Sequence, residues 1–184
     1  MSYQQSTLPP EEVSPQMMVR TGQIICGALM MGVLMFTLVV CVMRFGSAGQ
    51  QVDQPADQPR AESLLLPGVA AAFAAILLVV RMVVLPSVVR DGLKQTAARK
   101  PIEELRKIDL YGVYQTRMIV GCAMLEGAAF LNIIAFLMAG QIWTLGIVGL
   151  LLALMALMFP TIDKVDSWAD EQLRQLRLDP PRAT

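Results

Sequence analysis

The sequence predicts an all-α integral membrane protein, a helical bundle with four transmembrane helices. Three observations lead there. Hydrophobic residues make up 55% of the 184 residues and charged residues only 16%, with a mean hydropathy of +0.54. A soluble domain holds ~45–50% apolar and about 25% charged residues. The apolar residues are gathered into four runs, each near the ~20 residues a helix needs to cross the hydrocarbon core. The charges lie almost wholly between and after those runs.

The first run covers about residues 24–43. Its length exceeds the ~7–15 apolar residues of a cleaved signal peptide. The segment before it is acidic and proline-rich (Pro9, Pro10, Glu11, Glu12, Pro15), with Arg20 as its cation, so it reads as a retained span. Residues 1–20 and 46–63 are polar and rich in Gln, Pro, Gly and Asp. They lack the apolar surface that would offset ordering entropy and are expected to be mobile. The second run, about 64–85, contains Arg81 near its end, where the side chain is expected to snorkel to the headgroups.

The segment 87–117 is the most basic, with Arg90, Lys94, Arg99, Lys100, Arg106, Lys107 and Arg117. Basic residues in loops favour the cytoplasmic side, so this segment is expected to be a cytoplasmic loop. Within it, Pro101 followed by Glu103 and Glu104 is a helix-start signal. Ile102, Leu105 and Ile108 then recur at helical spacing. The third and fourth runs, about 118–139 and 142–159, are separated by a turn without basic residues at Gly140 and Gln141. Trp143 there suits an interfacial anchor. The tail, 161–184, places Ile162, Val165, Ala169, Leu173 and Leu176 on one helical face. Its acids come early and its arginines late, as the helix dipole prefers. This tail and the helix after Pro101 are expected to lie on the bilayer surface or to dock a partner. Lys164, Arg174, Arg177 and Arg182 make the tail basic, so both termini are expected in the cytoplasm. The expected location is a cell membrane of the bacterial inner type.

Lipid supplies no hydrophobic drive between helices, so small residues mark close helix contacts. Candidates are Ala28 and Gly32 in the first span, Ala123 and Gly127 in the third, and Gly146, Gly149, Ala153 and Ala156 in the fourth. The second span carries an alanine run from Ala70 to Ala75 broken by Phe73. Cys26, Cys41 and Cys122 fall inside apolar runs and read as packing residues. The 13 methionines read the same way.

Glu126 is the most informative residue. It lies nine residues past Arg117, so about 13 Å deeper along a helix, with apolar neighbours on both sides. A carboxylate there must be neutralised or partnered. It can serve as polar glue between helices, or carry a proton or a cation. Asn132 lies six positions on, on another face, and reads as a polar contact between helices. Thr37 and Thr144 are candidate hydroxyl partners for Glu126.

The stretch Ala98-Arg99-Lys100-Pro101, then Glu103, followed by an apolar helix with Glu126-Gly127, resembles the rotor c subunit of F-type ATP synthases. The resemblance covers about residues 68–140. It implies a two-helix hairpin with a polar cytoplasmic loop, and an outgoing helix whose mid-membrane carboxylate, here Glu126, carries the proton. The first and fourth spans have no counterpart in that family.

The chain has no histidine and a formal net charge of zero. The first removes the commonest general base and most zinc sites. The second leaves no basic footprint for nucleic acid. No span carries paired carboxylates or a nucleophile motif. The expected protein is therefore not an enzyme and uses no metal or cofactor. Its expected partners are the lipid bilayer and either further copies or other subunits of a membrane complex. The expected role is a non-enzymatic bundle subunit or assembly protein, with proton or cation translocation through Glu126 as the alternative.

Overall fold

The computed structural model describes residues 15–46 and 60–178, all helices and short turns. Residues 1–14, most of the polar segment 46–63 and the end of the tail, with Pro180, Pro181 and Arg182, lie outside the described residues. The order is α1 (Pro15–Gly46), α2 (Arg60–Arg99), a 3₁₀ turn (Ile102–Glu104), α3 (Lys107–Ala139), α4 (Trp143–Leu157) and α5 (Ile162–Leu178).

In α1 the buried hydrophobic side chains are Val19, Cys26, Val33 and Val40. Their seven-residue spacing makes a narrow seam along one side of the helix. Residues between them point outward, with Ile24 71%, Met31 59% and Leu38 57% exposed. In water such an apolar surface would be an aggregation hazard, whereas in lipid it is the ordinary outer wall. α2 behaves alike, burying Ala70 and Ala74 while Val79, Met82 and Val83 stay exposed. The alanine side chains let the α2 backbone come close to α3, and this is the most extensive helix pair.

α3 is the centre of the molecule. Half of its most apolar stretch is buried, against 17% for α1 and for α2. It packs on α1, α2 and α4, while α4 touches α1 and α2 only lightly. The three helices thus form an arc around α3 in the order α1, α4, α2. One core runs through the bundle, built on Cys122, Leu125, Ala129, Ile133 and Phe136 of α3 with Val148, Leu151 and Met155 of α4. The outer turn between α3 and α4 uses Gly140 at φ 69°, the only left-handed residue among those described. Its N–H donates to Phe136 O at 2.8 Å. Arg44, from the end of α1, lies over this turn and donates to Leu137 O at 3.4 Å, placing a cation at the negative end of α3.

The helices differ from the expected runs in several places. Three helices are long and apolar enough to cross a membrane on their own, and the number rises to four when α4 and α5, bent by 69°, are taken as one span; α4 alone has 15 residues. That is about 22 Å of helix against ~30 Å of hydrocarbon. The apolar run at 142–159 is broken at Met158–Pro160, and α5 leaves at 69°. The segment 87–117 is mostly helical, with its connection confined to residues 100–106: α2 runs on to Arg99, through Pro86, and α3 already starts at Lys107. Pro101 opens a single 3₁₀ turn. The helix start falls at Arg106, whose N–H donates to the Asp109 carboxylate at 3.0 Å.

The tail face is also used differently. Val165, Ala169, Leu173 and Leu176 are buried as the spacing implied, but against the chain itself, while Ile162 is 46% exposed. They form a second core with Val19, Leu105, Leu110 and Tyr111. Tyr114 and Trp168 meet edge to face with centroids 5.3 Å apart. Lys107 pairs with Asp170 at 2.7 Å, and the Tyr111 hydroxyl donates to Asp166. The apolar stripe that a bilayer surface or a partner would take is therefore already covered by α1 and α3.

Candidate functional site

Glu126 lies on the side of α3 that faces α1. A Cβ placed on Gly32 would stand 3.7 Å from Glu126 Oε1, so this glycine leaves the room that the carboxyl occupies. The side chain is half-buried, and among the described residues it has no hydrogen-bond or ion-pair partner. Thr37 and Thr144 do not reach it. Thr37 donates to Val33 O and Thr144 to Gln141 O, both at 2.7 Å, inside their own turns.

Next to Glu126 runs the one flank of α3 that the described residues leave uncovered. Thr116, Ala123, Gly127, Ile134 and Met138 are exposed along it. Ala123 and Gly127, expected to mark close helix contacts, face outward, and a Cβ on Gly127 would meet nothing within 4 Å. The same holds in α4. Gly146, Gly149 and Ala153 are exposed, with nothing within 4 Å of a Cβ on either glycine. Ala28 is exposed too. Of the small residues singled out, Gly32 of α1, beside Glu126, and Ala70 and Ala74 of α2 lie at helix contacts. By helical geometry the open flank of α3 and the outer face of α4 lie on roughly opposite sides of the molecule.

Asn132 is fully buried and turned toward α2. Its Nδ2 donates to Ala70 O at 3.3 Å and to Ala128 O at 2.9 Å. Its Oδ1 has no partner among the described residues. It does not approach Glu126, in line with the six-residue separation. Cys26 and Cys122 meet in the core with sulfurs 3.6 Å apart, a free thiol pair between α1 and α3. Their spacing in the sequence carried no signal for that contact.

A second site gave only a topological signal in the sequence. Where α4 bends into α5, a cleft of about 210 Å³ opens between α2, α3 and the bend. Arg81, Arg117 and Lys164 line it. Arg81 does not snorkel outward: its guanidinium is directed at Met158 Sδ, and its Nε is buried without a partner among the described residues. Lys164 donates to Leu157 O and Phe159 O, each at 3.3 Å, capping the end of α4. Gln23 of α1 holds the same bend by donating to Pro160 O at 2.9 Å. Each of these cations stands at the edge of an apolar run, which is the signal that could have grouped them.

No protein-family model matches the chain, and no curated protein and no solved structure matches it either.

Proposed function

We propose that the protein is a non-enzymatic, multi-pass membrane subunit that assembles with further copies of itself. The observation that carries this reading is the uncovered flank of α3, with the unpartnered Glu126 carboxyl at its edge. A central helix surrounded on three sides and bare on the fourth has room for one more helix. Ala123 and Gly127 permit close backbone approach there. The outer face of α4, with Gly146, Gly149 and Ala153, is a fitting counterpart, because a small-residue face on each side allows head-to-tail contact between copies. A neighbouring helix would also supply the surroundings that Glu126 lacks. In this reading α4, with the turns at its ends, is the fourth span. The basic segment around the 3₁₀ turn and both termini face the cytoplasm.

Oxidative cross-linking tests the contact. With Cys26, Cys41 and Cys122 replaced by alanine, Ala123→Cys together with Gly149→Cys should give cross-linked ladders in membranes. Arg90→Cys, outside the bundle, should not. Absence of ladders from the first pair rejects this interface.

A second reading rests on Glu126 alone. A half-exposed carboxyl with no donor among the described residues can exchange a proton or a cation, as in the c-subunit resemblance. Carbodiimide labelling of Glu126 and loss of proton flux in vesicles on Glu126→Gln support it. An unlabelled Glu126 and unchanged flux remove it.

A further inference from the structure

We propose that the cleft at the α4–α5 bend binds the phosphate of an anionic phospholipid headgroup. Three cations from three elements converge there: Arg81 of α2, Arg117 of α3 and Lys164 of α5. None of them is ion-paired among the described residues, where the salt bridges are Lys100–Asp109, Lys107–Asp170 and Arg174–Glu171. No aspartate or glutamate lines the cleft. Charges gathered in a partly desolvated place without a counter-ion repel one another and are costly. A bound anion removes that cost.

Depth selects the anion. Arg81 and Arg117 stand at the ends of the apolar runs of α2 and α3, and Met158 at the bend lies over Gly121, where an added Cβ would come within 2.7 Å of Met158 Cε. The cleft is therefore at the boundary between hydrocarbon and headgroups, given that these helices span a membrane. Tyr114 also lines it, and an aromatic ring with a polar tip suits that level. The guanidinium groups offer paired N–H donors to phosphate oxygens, and Lys164 adds a point charge. Basic pockets between membrane helices on this side hold phospholipid headgroups by the same chemistry. The acyl chains would run along the exposed apolar walls of α2 and α4.

The test uses the full chain in detergent with lipids added back, read by native mass spectrometry. Phosphatidylglycerol should be retained at least tenfold better than phosphatidylcholine. Arg117→Gln and the pair Arg81→Gln with Lys164→Gln should each lose most of that preference. Arg117→Lys should keep part of it, and Arg90→Gln, outside the cleft, all of it. Thermal midpoints in phosphatidylglycerol and in phosphatidylcholine nanodiscs show whether a variant folds. Equal retention of the two lipids, or a preference unchanged in the cleft variants, overturns the proposal. So does displacement of phosphatidylglycerol by equimolar inorganic phosphate, which would make this a site for free phosphate.

Discussion

Leu173→Ala should release α5 from the bundle. Leu173 is 8% exposed, so nearly all of its side chain is packed in the second core. Truncation to alanine removes three carbons, about 2.4 kcal/mol at ~0.8 kcal/mol per buried CH₂ group. A residual cavity adds to that figure, and partial collapse at the rim of the core takes some of it back. A loss of about 2–3 kcal/mol raises the population of the undocked helix roughly 30- to 150-fold, at ~1.4 kcal/mol per factor of ten. Hydrogen exchange in nanodiscs reads this directly: amides of α5 should lose protection by that factor while those of α3 below Met118 keep theirs. Leu178→Ala is the control, since Leu178 is 79% exposed and loses the same atoms. Equal effects of the two substitutions, or no effect of Leu173→Ala, would refute the docking of α5.

Three further outcomes follow from the geometry. Gly140→Ala should cost at least ~1–2 kcal/mol in unfolding midpoint assays, from the left-handed backbone. It should also displace Arg44, whose Nη2 lies where the new Cβ would stand; a variant as stable as the parent contradicts the turn. Asn132→Leu should change stability by no more than about 1 kcal/mol, because a hydrogen bond between membrane helices is worth ~0.6 kcal/mol and the unpartnered Oδ1 is removed with it. Asn132→Ala should cost more through its cavity, and the opposite order would show that Oδ1 is engaged. Burial first, then the hydrogen bond to Asp166 and the charges of Asp166 and Asp170, push the Tyr111 phenol up to about 12. A phenol raised by folding contributes stability that is complete below about pH 10 and is lost as pH rises through its folded value. Docking of α5 should therefore weaken between about pH 10 and 12, and Tyr111→Phe should abolish that step; an unchanged alkaline transition contradicts the assignment.

The all-helical bundle was legible in the sequence because apolar run length and charge confinement report directly on a lipid environment. The buried stripe of α5 was legible too, since Val165, Ala169, Leu173 and Leu176 keep helical spacing. What covers that stripe was not, because amphipathicity fixes a face and leaves its partner open. Small residues left their partner open for a related reason. Gly127 and Gly149 permit close contact, but permission does not say whether the neighbour belongs to the same chain. Pro86 does not end α2: a helix tolerates proline when the rest of its ladder and its packing hold it, and α2 continues for 13 residues beyond. Glu126 was found from sequence because a carboxyl among apolar residues stands out at any register. The cation cleft was missed as a unit because Arg81, Arg117 and Lys164 are far apart in the chain and meet only through the bend after α4.

In the proposed assembly the open flank of α3 is covered by another copy. The mass of the protein particle in native-lipid nanodiscs measures this most directly. Two or more copies per particle are expected, falling to one when Gly127→Leu fills the flank. A single copy in the parent chain, or a copy number that Gly127→Leu leaves unchanged, contradicts it.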